Sequence, residues 1–428
     1  MSKAKSKQTV STDDIEWPSM DGQKPHRSAL PNVLFWLKAR GIVAHFNEFN
    51  QRACITIDGT EAEFTDREML RVVSEMHEAG CIVSEGAVVS GVKHLAFKNA
   101  FHPVRDYLDG LEWDGTKRLD TLLSRYLGAE ATPVNRAIGK AWVVAAVRRV
   151  RKPGVKFDNI LVLQGEQGAG KSTFFRLLAT DAWFNDNLDI GASSKEVIEE
   201  LSGAWIVEHA ELSAMANRDV ERVKQFASTQ VDRARTAFER TTKSVPRQFV
   251  CGASVNQGKF LRDDTGSRRF WIAEVKKLDE AALIEDRDQL WAEAAHLEAK
   301  GEAINIPPEL WAEVAELNES FAVDDPIADR AHSLLVTLPS NAVVTAFDLA
   351  CAVGISDVSR QGGKVAQSIA AGAKRAGWTG SRRAVPGVLK TGQRHYRNVD
   401  PSGTPRLFVY SDNDTRKPLR PGIVEKPL

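Results

Sequence analysis

The stretch Gly165-Glu-Gln-Gly-Ala-Gly-Lys-Ser-Thr173 sets glycines at Gly165 and Gly170 ahead of Lys171 and Ser172, the spacing of a phosphate-binding loop. Glycine lets the backbone close into a concave nest whose N–H groups face anionic oxygens. A helix starting there adds unpaired donors and the positive end of its dipole. Gly165, Gln167, Gly168, Ala169, Gly170, Lys171, Ser172 and Thr173 would then wrap a nucleoside triphosphate. Lys171 would reach the β- and γ-phosphates, and the Ser172 hydroxyl would hold magnesium.

The loop alone leaves kinase, GTPase, ATPase and helicase open, and residues further along narrow the choice. Glu208 follows the apolar run Ala204-Trp-Ile-Val207, and Glu211 stands three residues on. Acids at the end of a second buried strand are where a metal ion and an attacking water need them. Position favours Glu208 for the metal, with the division between the two acids left open. His209 between them reads as a relay or sensor, or more readily as a core or surface histidine. Asn256 ends a third strand, as a γ-phosphate contact or as a turn residue. Arg268 and Arg269 follow the loop Asp263 to Ser267 and could enter a neighbour's site, or pair with Asp263 or Asp264. From Arg233 to Arg247, five basic residues, one acid and one aromatic fall in fifteen positions. This suits a loop that tracks a phosphate backbone through Arg233, Arg235, Arg240, Lys243 and Arg247, or a solvated basic hairpin.

These residues need a scaffold, and periodicity supplies one. Asn159–Gln164, Ala204–Val207, Gln248–Ser254 and Arg269–Ala273 read as strands. Thr173–Ala179, Ser193–Leu201 and Asp219–Ser228 read as helices, the second with its N-cap at Ser193 or Ser194. The alternation predicts an α/β core over 157–278, a largely parallel sheet covered by helices. Ahead of it, 102–156 reads as a helical collar with a long helix over Asn135–Val150. A small α+β domain spans 29–101, with helices at Asn32–Arg40 and Asp66–Met76, strand-like alternation at Arg52–Ile57 and no chemical signature. Residues 1–28 read as a disordered tail. Behind the core, 279–326 reads as a helical linker or lid. In 327–410, Thr345–Val353 and Gly363–Ala376 form a helix pair, and Ser381–Arg397 ends as a strand pair. That is a winged-helix outline, in which Lys364, Lys374, Arg375, Arg382, Arg383, Arg394 and Arg397 could meet DNA phosphates; a protein-contacting winged helix is the alternative. Residues 411–428 read as a flexible tail.

In order, Pro103-Val-Arg-Asp-Tyr-Leu108, Trp113-Asp-Gly115, Pro153-Gly-Val-Lys-Phe-Asp158, the glycine loop, Trp205-Ile-Val-Glu-His-Ala-Glu-Leu212, Asn256 and Phe260 to Trp271 resemble the virulence-associated E family of phage and mobile-element proteins. That family is similar to superfamily 3 replicative helicases with a P-loop, AAA+-like ATPase core. The resemblance covers about residues 100–275. It implies ATP as the nucleotide, with Mg2+, hydrolysed at the subunit interfaces of a ring, usually hexameric, around DNA. It makes Glu208 or Glu211 the Walker B acid, Asn256 the first sensor, Arg268 or Arg269 the arginine finger and Arg233–Arg247 the pore hairpin. The chain departs from the pattern in lacking adjacent acids at the Walker B position. Some relatives fuse a primase to this core. Here the preceding hundred or so residues hold no clustered carboxylates or zinc-type cysteines, so intrinsic priming is not expected and a separate primase is one candidate partner.

Bulk composition fits this reading. At 428 residues the chain exceeds one compact core, so two or three domains are expected. No run approaches the ~18 apolar residues of a membrane helix. The N-terminus lacks the apolar segment of a secretory signal. Four widely spaced cysteines read as thiols in a reducing cytoplasm. Net charge is zero, yet from Ile327 onward 15 Lys+Arg stand against 7 Asp+Glu, which leaves the rest of the chain acidic. A basic module on an acidic body points to an anionic partner. The expectation is an ATP-driven DNA helicase or translocase of mobile-element replication. The alternative is an ATP-switched DNA-binding or interference factor that does not unwind. A small-molecule phosphotransferase is disfavoured, because no lid or acceptor site is visible.

Overall fold

The computed structural model describes residues 15–187, 192–209, 217–234, 242–261, 267–323, 325–356, 363–385, 388–389, 392–399, 404–411 and 419–421. They form two compact units, one within 1–260 and 266–320, the other within 261–265 and 321–428.

In the first unit, helix α1 (Leu30–Ala39) turns Val33, Trp36 and Leu37 inward. Strands β1 (Val43–Asn47), β2 (Arg52–Ile57) and β3 (Thr60–Glu63) form a meander. Asp58 and Gly59, at φ 53° and 77°, make its second turn, the positive-φ pair that a two-residue hairpin loop requires. Helix α2 (Asp66–Glu78) starts at a capping box of Thr65 and Glu68, and α3 (Glu85–Lys98) at Ser84. Strand β4 (Ala100–Phe101) pairs parallel to β1, giving the order β3-β2-β1-β4. The expected tail is ordered from Ile15. Trp17 stacks on Trp36 at 6.0 Å, and the Ser19 amide donates to Asn32 at 2.8 Å. A short apolar anchor thus outweighs the polar composition of that segment.

Helices α4 (Pro103–Asp109), α5 (Leu122–Leu127) and α6 (Pro133–Arg151) lead into the second sheet. Then follow β5 (Ile160–Gln164), α7 (Lys171–Ala179), β6 (Phe184–Asn185), α8 (Ser194–Leu201) and β7 (Ile206–His209). Next are α9 (Asn217–Ser228), the antiparallel pair β8 (Val231–Ala234) and β9 (Lys243–Pro246), β10 (Val250–Val255) and β11 (Phe270–Glu274). Helices α10 (Glu280–Ala299) and α11 (Trp311–Ser320) close the unit. Strands β11-β5-β10-β7-β6 stand in that order, all parallel. β5 is the first strand of this sheet in chain order and has later strands on both sides, β11 and β10, so its C-terminal end is the candidate place for a crevice.

The expected collar and lid share one hydrophobic core with this sheet. Trp142 of α6 donates to the Cys251 carbonyl at 2.8 Å, Trp205 to that of Ala146 at 3.0 Å, and Trp291 of α10 to that of Leu178 at 3.0 Å. The rings of Trp205 and Trp291 stack at 4.0 Å. Each buried tryptophan removes enough apolar area for roughly 4–6 kcal/mol of transfer free energy, an upper bound. With that much of α6 and α10 spent inside the sheet's own core, neither helix is a detachable layer.

The second unit runs α12 (Pro326–Leu335), β12 (Ala342–Thr345), α13 (Ala346–Ala352), α14 (Lys364–Arg375), β13 (Trp378–Ser381), β14 (His395–Asn398), β15 (Arg406–Tyr410) and β16 (Leu419–Pro421). Its sheet order is β13-β14-β12-β15-β16, with only β12 and β15 parallel. The expected strand pair is therefore part of a five-stranded sheet, and part of the expected tail is its edge strand. Helix α14 packs on α12 so closely that a Cβ on Gly372 would lie 2.2 Å from the Ala328 carbonyl oxygen. Among the described residues no helix is long and apolar enough to cross a membrane.

Candidate nucleotide site

The glycine loop leaves β5 and enters α7, and close backbone approach explains its glycines. A Cβ on Gly165 would lie 2.4 Å from the Val275 carbonyl oxygen, just beyond β11. Gly168 and Gly170 have φ of 81° and 85°, and a Cβ on Gly170 would meet the Leu278 Cβ at 2.5 Å. The Leu278 amide in turn donates to the Ala169 carbonyl at 2.9 Å. Gly170→Ala therefore combines a left-handed conformation with a clash against backbone-anchored atoms. It is expected to cost about 2–4 kcal/mol, read as a lowered midpoint in denaturant.

No side chain caps α7 at Gly170, which leaves its first amides to a ligand. Lys171 is 8% exposed, and its Nζ donates to the Gly165 and Glu166 carbonyls at 2.9 and 2.7 Å. Burial lowers its pKa, and nearby Glu208 works against that. The Ser172 hydroxyl donates to Glu208 Oε1 at 2.7 Å. Gln167 and Gly168 are exposed, Ala169 is buried and Thr173 half-buried.

Glu208 lies within β7 rather than after it, because the strand starts at Ile206 and runs through His209. Glu208 is 2% exposed; Oε1 takes the Ser172 hydroxyl, while Oε2 has the Ser254 hydroxyl nearby but no hydrogen bond of good geometry. Burial pushes its pKa up against the hydroxyls of Ser254 and Ser172; Asp186 adds to the rise and Arg176 opposes it. Gly252, its register partner on β10, leaves room for the Phe175 ring, which a Cβ would approach to 2.6 Å. Three neighbours of this acid escape sequence reading. Ser254 lies on β10. Asp186 follows a strand of two residues, too short to show periodicity, and is paired to Arg176 at 3.0 Å.

His209, next along the strand, is a core histidine rather than a surface group. It is buried with both ring nitrogens unpaired and its pKa pushed down to about 4, by burial first and then by Arg247. Glu211 lies outside the described residues. Asn256 is exposed one step beyond Val255, whose register partner is Gln164, so it stands level with the first loop glycine.

Arg268 and Arg269 occupy a single turn before β11, whose first residue pairs with Ile160. They sit at the opposite end of the strands from Lys171, about five residues of strand or roughly 16 Å away. Neither can serve the loop of its own chain. Arg269 pairs with Asp158 at 3.3 Å, a partner other than Asp263 or Asp264, which lie outside the described residues. Arg268 is exposed and makes no ion pair among the described residues.

The basic segment is the expected hairpin, with Arg233 opposite Ser244 and Ala234 opposite Lys243. Arg233 is exposed, and Arg235 and Arg240 lie outside the described residues. Arg247 is no nucleic-acid contact. It is 5% exposed, forks onto Asp232 with one arm at 2.8 Å, and lies 4.2 Å from the Phe226 ring centre. Arg247→Ala would strand the Asp232 carboxylate in the interior, and a loss of about 3–5 kcal/mol is expected in chemical denaturation. In the second unit Lys374, Arg382, Arg383, Arg394 and Arg397 are exposed, and Lys364 opens α14. Arg375 is engaged by Asp329 at 3.0 Å, an exposed pair that a phosphate can displace.

A family model for the virulence-associated protein E-like domain matches residues 108–323. No curated protein matches the chain. Among solved structures, the apo structure of the NrS-1 C terminal region has 11% identity and a TM-score of 0.47, covering 86% of this chain and 98% of that one. The A form apo structure of the same region gives 10% and 0.44, over 86% and 99%.

Proposed function

The chain belongs to the virulence-associated protein E-like family, and from that premise we propose that it is a P-loop, AAA+-like ATPase driving DNA unwinding or translocation in mobile-element replication. The observation that carries the reading is the meeting of Lys171, Ser172 and Glu208 at the crevice of a five-stranded parallel sheet. Lys171 and the α7 amides would bind the phosphates of ATP. A buried acid with one oxygen on the Ser172 hydroxyl and the other without a hydrogen bond of good geometry suits Mg2+, which takes one or two protein oxygens and the rest from phosphate and water. Held by Ser172 and Glu208, such an ion would supply neutralisation of the triphosphate charge. Among the described residues no cluster of three or more acids, histidines or cysteines offers a rival metal site.

Arg268 is the better candidate for an arginine finger, since Arg269 is already paired and neither reaches its own loop. This favours a ring, hexameric by family resemblance, with ATP between subunits. Arg233 on the hairpin would face single-stranded DNA in the pore. The order α12-β12-α13-α14-β13-β14 follows a winged helix, with α14 entering duplex DNA and Arg382, Arg383, Arg394 and Arg397 near the wing. Displacement of a labelled strand from a fork with ATP tests the reading. Arg268→Ala should lose hydrolysis, and mixing it with Lys171→Ala should restore part of it if the arginine acts in trans. ATP-dependent DNA binding without displacement would establish the non-unwinding factor instead, and a chain that splits no ATP would end both readings.

A further inference from the structure

Behind the β7 acid lies a continuous run of rings and charge that the hydrolysis site does not use. The His209 ring meets Phe226 of α9 edge-on at 5.3 Å and 86°. Phe226 stacks on Phe249 at 5.7 Å and 16°. The Arg247 guanidinium lies 4.2 Å from the Phe226 centre and 5.3 Å from that of Phe249. It donates to the Phe226 carbonyl and forks onto Asp232 of β8, which is 4% exposed. The Arg247 amide donates to the Gln230 carbonyl at 2.9 Å, which closes the base of the β8–β9 hairpin. One end of the run is thus the residue after Glu208, and the other end is the root of the hairpin.

Two features set this run apart from ordinary core. His209 is 3% exposed with neither nitrogen bonded, a cost of about 1–3 kcal/mol that leucine or phenylalanine would avoid. Such local conflicts concentrate where function demands them. The run is also rigid where it meets the hairpin, because a bidentate fork between two buried charges admits one geometry. A packed interior transmits small displacements rather than absorbing them. A shift of the β7 backbone at Glu208 would carry His209 with it, onto Phe226 and thence onto the hairpin root.

We propose that His209, Phe226 and Arg247 are positioning residues that couple occupancy of the nucleotide site to the β8–β9 hairpin. The inference rests on the reading of the site given above. It is tested in the full-length protein with His209→Leu and Phe226→Leu, which keep apolar bulk but remove the ring contact, and with His209→Phe, which restores a ring. Three quantities are read: ATP hydrolysis without DNA, its stimulation by single-stranded DNA, and hydrogen exchange of the β8 and β9 amides with and without a non-hydrolysed ATP analogue. The leucine variants should keep unstimulated hydrolysis within about twofold and lose about tenfold of the DNA stimulation, in the usual range of coupling between sites. Their hairpin amides should stop responding to nucleotide, and His209→Phe should recover both responses. Folded leucine variants with wild-type stimulation and exchange would overturn the coupling while leaving the ATPase reading intact. If the wild type hydrolyses ATP but its hairpin amides ignore the analogue, the coupling is likewise overturned. A wild type that binds no nucleotide overturns both together, a result that differs from either failure alone.

Discussion

Lys171→Ala is expected to lower ATP hydrolysis by about 10²–10³-fold, the scale on which one pre-organised charge contact to a transition state is felt. Strand displacement should disappear with it, while binding of DNA partly survives, since the exposed arginines of the second unit are untouched. The effect on folding should be small and of informative sign. Lys171 is held by two loop carbonyls, and burial lowers its pKa. The folded chain therefore binds fewer protons there than the unfolded chain, between the lowered pKa and the ordinary lysine range. Stability from this group rises with pH through that window, and its cost is fully present below it. The alanine variant should lack that alkaline rise and should not melt lower at neutral pH on account of charge. Hydrolysis and differential scanning calorimetry in the same buffers separate the two effects. A variant that unwinds normally would remove Lys171 from the reaction.

The glycine loop was legible because its chemistry depends on neighbours in sequence: glycines for backbone approach, then a lysine and a serine on one helical turn. The alternation of strands and helices was legible for the same reason, and β2 begins and ends where its pattern does. What sequence could not show are groups joined through space. Arg247 stands in a basic run and reads as one more cation, yet Asp232, fifteen positions back, takes it inside. Arg269 is claimed by Asp158 across 111 positions. Helix α3 was missed because Gly86 and Gly91 dilute its pattern, although a Cβ on Gly91 would lie 2.4 Å from Val33, so that glycine serves close packing against α1. Several residues that carried the family resemblance prove to be architecture. Arg105 holds the Val150 carbonyl at 2.9 Å, and Asp114 pairs with Arg118, which also grips Asp286 of α10 at 2.8 Å. A motif can mark a family through its scaffold as readily as through its site.

Glu208→Gln separates the two acids that sequence left undivided, and it does so through opposite signs in activity and stability. Gln keeps the shape, and its carbonyl can still accept from Ser172, but it cannot carry charge. Hydrolysis should fall by about 10²–10³-fold while nucleotide still binds through Lys171 and the α7 amides. Stability should move the other way. Burial raises the folded pKa of Glu208, so the folded chain holds a proton there that the unfolded chain has lost. The wild type thus loses stability as pH rises from the ordinary carboxylate range through that raised value, and above it the cost stays. Glutamine leaves its amide N–H groups unpaired in the same place, so it removes only the extra cost of the charge, about 1 kcal/mol. Without metal or nucleotide, the variant should melt with the wild type near pH 4. At pH 7.5 it should melt higher by about 2–4 °C per kcal/mol. Magnesium with an ATP analogue should narrow that gap, because only the wild-type carboxylate gains a cation. Retained hydrolysis in Glu208→Gln, with loss in Glu211→Gln, would move the essential acid three residues along. A stability difference that is the same at pH 4 and at pH 7.5 would show that the Glu208 charge carries no cost where it stands.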